Sequence, residues 1–112
     1  MEGSRMRRVD EALREVLSEA IAEEIQDPRL GFVTVTGVDT SPDLRHARVY
    51  VSVFGDEEAR KGSLDALQAA HGRLQWSIGR QMRLKHTPEL TFRYDDTADK
   101  GMRVDEILEE ES

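Results

Sequence analysis

Between Val9 and Ile25 the apolar residues recur at steps of three and four, the spacing of one face of an amphipathic helix. The set comprises Val9, Leu13, Val16, Leu17, Ala20, Ile21 and Ile25. This pattern predicts a first helix over residues 9–25. Asp27-Pro28 ends it, because the residue before a proline is pushed out of the helical region.

Three later segments are rich in β-branched and aromatic residues and alternate between apolar and polar positions, as strands do. The first two span residues 32–38 and 47–54, and the third spans residues 90–95. Turn-forming residues lie between the first two, namely Asp39, Ser41, Pro42 and Asp43, which predicts adjacent antiparallel strands. In the second strand the alternation predicts one buried face and one solvated face.

An apolar stripe at helical spacing runs through residues 64–85, and Ser63 precedes it as a candidate N-cap. The stripe consists of Leu64, Leu67, His71, Leu74 and Ile78. It crosses Ala70-His71-Gly72, where a glycine costs about 1 kcal/mol relative to alanine in a helix. We therefore predict a break that divides two helices, and a two-layer α+β domain with the helices on one face of a three-stranded sheet.

The chain has 112 residues and no cysteine, which excludes thiolate catalysis, cysteine zinc sites and a disulfide framework. We predict one domain over residues 1–95, with residues 1–5 flexible, and an acidic, partly disordered tail over residues 96–112. No apolar run approaches the roughly 20 residues of a membrane span. We expect a cytoplasmic protein that acts as a monomer, without a membrane partner.

The net charge of -7, taken as a sum, argues against a nucleic-acid partner. Its distribution changes that conclusion. Residues 9–28 and 95–112 each carry -6, whereas residues 66–94 carry +4, and no carboxylate lies between Ala66 and Pro88. The basic residues are therefore concentrated in one segment of an acidic chain.

Within that segment Arg73, Trp76, Arg80 and Arg83 fall in one quadrant of the predicted helix. One interpretation is a helix laid on phosphates, with Trp76 stacking on an exposed base or an arginine plane. The other is an ordinary solvated face, whose tryptophan packs on arginine stems or becomes buried at the break. The missing carboxylates favour the first, and the role of Trp76 stays open between base stacker and core residue.

The sequence offers little for catalysis or metal binding. His46, His71 and His86 fit no metal-binding spacing, and a calcium loop fails where Lys100 replaces the required glycine. A metal-dependent hydrolase that uses Asp95, Asp96 and Asp99 ranks far below a binding function. We expect no enzymatic activity, no metal and no cofactor.

Short segments along most of the chain form one further pattern. They are Asp27-Pro-Arg-Leu30, Val33-Thr-Val-Thr-Gly-Val38, Ser41-Pro-Asp-Leu44, Ala47-Arg-Val-Tyr-Val-Ser52 and Thr87-Pro-Glu-Leu-Thr-Phe92. With the basic start Arg5-Met-Arg-Arg-Val9 and the step Ala70-His71-Gly72, their order and spacing resemble the bacterial ribosome-binding factor A family over residues 5–108.

This resemblance implies a KH-like fold of type II, in the order α-β-β-α-kink-α-β, with an Ala-x-Gly kink where standard KH domains carry Gly-x-x-Gly. It also implies a non-enzymatic factor that binds free small (30S) ribosomal subunits through 16S rRNA and neighbouring ribosomal proteins. Late subunit maturation, 5′-end processing of 16S rRNA, growth after cold shock, and interplay with assembly GTPases and other maturation factors belong to the same expectation.

On this resemblance the RNA-contact role falls on basic residues at the start of the chain and around and after the kink. They are Arg5, Arg7, Arg8, Arg73, Arg80, Arg83 and Lys85, with Trp76 on the same face and Arg45 and Arg48 as weaker candidates. Ala70, His71 and Gly72 form the kink, and Gly72 permits a conformation or a close approach that a Cβ would obstruct. The alternative is an acidic module whose first helix and tail bind a basic ribosomal protein or assembly factor.

Overall fold

The computed structural model describes residues 2–97, with side chains from Arg5 onward. Its elements are α1 (Glu2–Glu24), β1 (Val33–Thr40), β2 (His46–Val53), α2 (Glu57–Ala69), α3 (His71–Gln81) and β3 (Glu89–Tyr94). The predicted α+β class and the order α-β-β-α-kink-α-β of a KH-like domain are confirmed. The predicted acidic tail lies outside the described residues, apart from Asp96 and Thr97.

The three strands form one sheet in the order β1-β2-β3. β1 and β2 pair antiparallel, as the turn residues between them predict. β3 pairs parallel to β2, with Ala47 opposite Leu90 and Val51 opposite Tyr94. A parallel pair needs a crossover connection, and here α2 and α3 supply it.

A β-bulge at Thr36 changes the faces of β1. Val35 lies opposite Val51, and the next pair joins Gly37 to Tyr50, so Thr36 is the extra residue. Strict alternation from Val35 would have turned Val38 away from the helices. The bulge restores Val38 to the helix side, where it packs against the core.

The core lies between the helices and one face of the sheet. Its buried members include Leu13, Leu17 and Ile21 of α1, Val49 and Val51 of β2, Leu67 of α2, Leu74 and Ile78 of α3, and Leu90 of β3. Burying a side chain of this size contributes about 1.5–3 kcal/mol. The opposite face of β2, with Arg48 and Ser52, is exposed, as the alternation predicts.

The first and second helices begin earlier than predicted. α1 begins at Glu2 rather than Val9, so the N-terminal arginines belong to a helix. α2 begins at Glu57, and its N-cap is Asp56, whose carboxylate accepts a hydrogen bond from the Ala59 amide at 2.9 Å. The prediction of Ser63 as the cap is wrong.

Ser63 and His71 also differ from their predicted roles. Ser63 is buried within α2, and its hydroxyl accepts a hydrogen bond from the Gly31 amide at 3.0 Å. His71, placed by its spacing in the apolar stripe, is exposed, with Nδ1 2.7 Å from the carbonyl oxygen of Gln68. Within residues 2–97 no helix has the length and apolarity to cross a membrane.

Candidate nucleic-acid interface

The break between α2 and α3 is a single residue, Ala70. Its amide donates to the carbonyls of Ala66 and Leu67 at 3.1 Å, and its own carbonyl accepts from the Leu74 amide at 3.1 Å. Ala70 therefore ends one helix and begins the next, with φ -93° and ψ 7°. Because no described side chain caps the first turn of α3, its leading N–H groups remain available to an acceptor on a partner.

Gly72 lies in that uncapped first turn. Its φ is not positive, and a Cβ built on it would meet no described heavy atom within 4 Å. The break therefore does not require glycine for its own backbone conformation, contrary to the first of the two predicted roles of Gly72. Because Gly72 has no side chain, its backbone is exposed, and a ligand can approach it closely.

The solvent-facing side of α3 carries Arg73, Trp76 and Arg80, all exposed, while Leu74 and Ile78 on the other side are buried. Trp76 exposes 60 % of its surface, so it is not a core residue. The Arg80 guanidinium lies over its ring, 4.7 Å from the centroid. An arginine on one ring face leaves the other side of the indole for a planar group such as a base.

Arg83 and Lys85 lie in the loop after α3 rather than on its face. The helix ends at Gln81, so the prediction that Arg83 shares a helical quadrant with Arg80 is wrong. The loop is held against α3 at its far end, where Gln75 donates to the Pro88 carbonyl at 3.0 Å. A Cβ on Gly79 would lie 3.3 Å from Thr87 Oγ1, so glycine permits this close packing. Both basic side chains are exposed.

The end of α1 brings acidic side chains against the Arg73 end of α3. Arg73 donates to the Glu24 carbonyl at 3.1 Å, and the Ser77 hydroxyl donates to Glu24 Oε2 at 2.6 Å. An open groove of about 650 Å³ beside the break is lined by Glu24 and Asp27 as well as by Gly72. The carboxylate-free window of the sequence did not reveal these neighbours. Arg80, Arg83 and Lys85 lie beyond this contact, toward the C-terminal end of α3.

The N-terminal arginines are far from Arg73. Arg5, Arg7 and Arg8 are exposed in the first turns of α1, about 24 Å or more from Glu24 at 1.5 Å per residue. Cations there oppose the helix macrodipole, so these arginines do not help α1 to form. The structure therefore does not join them to the α3 face.

Arg45 lies at the same end of the sheet as the start of α1, and the loop that carries Lys85 leads into β3 there. Asp10 accepts a hydrogen bond from the Thr40 amide at 3.1 Å, which fixes α1 to the end of β1. The Glu89 amide donates to the Arg45 carbonyl at 2.8 Å, where β3 begins. We call this part of the molecule the basic end; its basic residues are Arg5, Arg7, Arg8 and Arg45, with Arg83 and Lys85 in the loop that leads into β3, and Asp43 and Glu89 lie there as well.

Arg48 differs from this group. It lies on the open face of the sheet, where its guanidinium pairs with Asp39 at 2.7 Å. A partner carboxylate compensates its charge, so Arg48 is the weakest of the phosphate-binding candidates.

Carboxylates gather at the opposite end of the sheet, where β1 begins and β2 and β3 end. We call this the acidic end; it comprises Asp27, Asp56, Glu57, Glu58, Asp95 and Asp96. The hydrogen bond from Arg29 lowers the pKa of Asp27, and hydrogen bonds from Thr36 and Thr97 lower the pKa of Asp95. Both carboxylates are therefore ionised at neutral pH, and they add to the negative charge at this end of the sheet.

The acidic end offers little to a metal ion. Asp95 Oδ2 accepts a hydrogen bond from Thr36 at 2.6 Å, and Oδ1 accepts one from the Thr97 amide at 2.9 Å. Among the described residues no group of three metal-ligating side chains occurs. Asp99, the third carboxylate of the hydrolase alternative, lies outside the described residues.

Comparison with known proteins agrees with this architecture. The family model described as Ribosome-binding factor A matches residues 5–108. The chain belongs to the ribosome-binding factor A family. Ribosome-binding factor A of Halothermothrix orenii is 45 % identical over 108 residues, covering 96 % of this chain and 88 % of that protein. The Desulfitobacterium hafniense protein of the same name is 46 % identical over 104 residues, covering 93 % of this chain and 83 % of that protein.

Solved structures of the family share the fold. The crystal structure of ribosome-binding factor A from Thermus thermophilus gives a TM-score of 0.71 at 34 % identity, covering 80 % of this chain and 94 % of that chain. A homology model of the Thermus thermophilus factor, fitted into the cryo-EM map of a complex of the factor with the 30S subunit, gives a TM-score of 0.66 at 34 % identity. It covers 79 % of this chain and 92 % of that chain.

Proposed function

We propose that this chain is a ribosome-binding factor that associates with free small ribosomal subunits through 16S rRNA and assists their late maturation. Its family supports the proposal, as does the Thermus thermophilus relative fitted into a 30S complex. The observation that carries it is the exposed cluster of Arg80 over Trp76, continued by Arg83 and Lys85 in the next loop.

Each part of this cluster suits a different feature of folded RNA. Guanidinium and ammonium groups bind phosphates and release condensed cations, which makes the affinity depend on salt. An exposed indole stacks on an unpaired base, the kind that ribosomal RNA presents in loops and bulges. At the break, the uncapped α3 turn and the bare backbone of Gly72 allow a ribose hydroxyl or a base carbonyl to approach the main chain, while Glu24 and Asp27 in the neighbouring groove disfavour a phosphate.

The uneven distribution of charge favours one orientation of the domain on the subunit. The field of the RNA attracts the basic end and repels the acidic end, so encounter favours one orientation. The acidic excess also weakens binding to RNA that does not match the shape of the site. A factor built in this way binds its site selectively and leaves when maturation changes that site.

The proposal includes a non-enzymatic role without a cofactor. It extends to 5′-end processing of 16S rRNA, growth after cold shock, and action beside assembly GTPases and other maturation factors in the cytoplasm. In each of these the protein contributes binding energy at one site on the subunit, and the chemistry of cleavage or GTP hydrolysis belongs to other proteins.

Chemical footprinting on immature 30S subunits tests the proposal. We expect the wild-type chain to protect a contiguous set of 16S rRNA nucleotides, and the variant Arg80→Glu, Arg83→Glu to lose that protection. If α1 instead binds a basic protein, as in the alternative, Glu15→Lys with Glu19→Lys will abolish association while the arginine variant still binds. Association without any protected nucleotide would contradict RNA binding.

A further inference from the structure

Two phenylalanines are exposed at the acidic end of the sheet. Phe32 and Phe54 expose 84 % and 83 % of their surfaces. They directly precede β1 and follow β2, and the Phe54 amide donates to the Phe32 carbonyl at 3.0 Å, so the two residues are opposite one another. Val53 belongs to the core and Val33, its partner in the register, packs against it, so alternation directs the two phenylalanines to the open face of the sheet.

The fold does not explain this pair. Neither ring belongs to the core cluster, and a large exposed apolar side chain gains little from folding. Aromatic side chains, phenylalanine among them, are by contrast enriched at protein interfaces. The two side chains therefore form an exposed apolar surface that does not contribute to the core and is accessible to a partner.

The charges beside the pair indicate its partner. Asp56, Glu57 and Glu58 follow Phe54 after one glycine, and all three are exposed. Asp56 caps α2, and the two glutamates favour the positive end of that helix, but together they form an acidic rim beside the rings. Phosphates are repelled there. Arginine and lysine are attracted both by the carboxylates and by the faces of the aromatic rings.

We propose that Phe32, Phe54 and the acidic rim bind an Arg- and Lys-rich segment of a small-subunit ribosomal protein. This inference rests on the proposed association with the subunit and adds a second contact to it. The basic end faces RNA, and the opposite end of the sheet faces protein. Two such contacts with opposite charge requirements select a site where RNA and a basic protein lie side by side.

The test compares two probes, free 30S subunits and 16S rRNA stripped of its proteins. We expect Phe32→Ala with Phe54→Ala to lower the affinity for subunits at least tenfold and the affinity for stripped rRNA less than twofold. The midpoint of urea unfolding should stay close to that of the wild type. Equal affinity of the wild type and the variant for subunits would overturn the inference.

Reversing the charge of the acidic rim distinguishes a protein partner from an RNA partner, because the affinity should change in opposite directions. Glu57→Lys with Glu58→Lys leaves the Asp56 cap intact; it should weaken binding to subunits if the partner is a basic protein. Tighter binding would assign the surface to RNA and contradict the inference. If the wild type binds neither probe, the proposed function itself fails, which is a distinct outcome.

Photocrosslinking identifies the occupant directly. With benzoylphenylalanine in place of Phe54, crosslinking on 30S subunits should yield a protease-sensitive product that contains one ribosomal protein. A nuclease-sensitive product, a crosslinked dimer of this chain, or no product on subunits that the labelled chain demonstrably binds would each overturn the inference.

Discussion

The guanidinium of Arg80 lies over the indole ring of Trp76, 4.7 Å from its centroid, on the solvent side of α3. The contact fixes the relative position of two exposed side chains that are not part of the core. It places a positive charge beside an exposed aromatic surface, which is the combination that single-stranded nucleic acid binds. The pair is the centre of the proposed RNA-binding surface.

Replacement of Trp76 tests the stacking role. We expect Trp76→Ala to weaken binding to 30S subunits by about 1–3 kcal/mol, the range for loss of one base–aromatic stack. Trp76→Phe keeps a ring and should recover most of that loss. Because Trp76 is largely exposed, urea unfolding should change little in either variant. Equal subunit affinities of the alanine variant and the wild type would show that no base stacks on this ring.

The hydrogen bond between Ser77 and Glu24 should contribute to stability rather than to binding. Ser77 is buried, and its hydroxyl donates to Glu24 Oε2 at 2.6 Å, which ties α3 to the end of α1. We expect Ser77→Ala to lower the free energy of unfolding by about 0.5–1.5 kcal/mol. Urea denaturation measures this. An unchanged midpoint would mean that solvent replaces the bond without cost.

Two glycines should respond in opposite ways to substitution by alanine. At Gly55, φ is +127° and a Cβ would lie 2.8 Å from Cβ of Ala59. We expect Gly55→Ala to destabilise the fold by at least about 1 kcal/mol, since alanine cannot adopt this backbone without strain. Denaturant unfolding of the variant checks this, and stability equal to that of the wild type would contradict it.

At Gly72 the added methyl group meets open space in a helical turn. Gly72→Ala should therefore leave the free energy of unfolding unchanged or raise it, by up to about 1 kcal/mol. It should weaken subunit binding, because the backbone of α3 is then covered. Titration of 30S subunits measures the second effect. Undiminished affinity would remove Gly72 from the interface.

The hydrogen bond from Thr36 to Asp95 predicts a pH dependence of stability. The bond lowers the pKa of the Asp95 carboxyl in the folded protein. A lowered folded pKa adds stability above the unfolded value of about 3.9, and that stability disappears as the pH falls through the folded pKa. Thr36→Val should therefore be less stable than the wild type at pH 7, and the difference should shrink toward pH 2. A difference that is constant between pH 2 and 7 would contradict this origin.

The repeating patterns of the sequence predicted most of the fold, because helix and strand periodicities follow directly from which side of an element is buried. The bulge at Thr36 and the parallel pairing of β3 escaped prediction, since the first depends on the exact register of β1 on β2 and the second on how α2 and α3 carry the chain from β2 to β3. The cap of α2 was misplaced at Ser63 because Asp56 and Ser63 are both good capping residues, and only packing against Gly31 distinguishes them.

The candidate site was predictable in part. The exposed set of Arg73, Trp76 and Arg80 follows from helical angles alone. The contact of Glu24 with Ser77 and Arg73 does not, because the two segments are about 50 residues apart and meet only in the folded domain. Charge counted along the chain therefore overstated how basic the surroundings of Arg73 are.

The salt dependence of binding to free small subunits tests the central claim most directly. The wild type is compared with Arg80→Glu, Arg83→Glu and with a control of equal charge change, Lys61→Glu, Arg93→Glu, which alters exposed residues outside the proposed surface. We predict that log K for the wild type and the control falls linearly with log[salt]. The Arg80, Arg83 variant should bind more weakly, and its slope should be shallower by about 1.5–2. A salt-independent affinity of the wild type, or equal slopes and affinities for all three proteins, would contradict RNA binding by this surface.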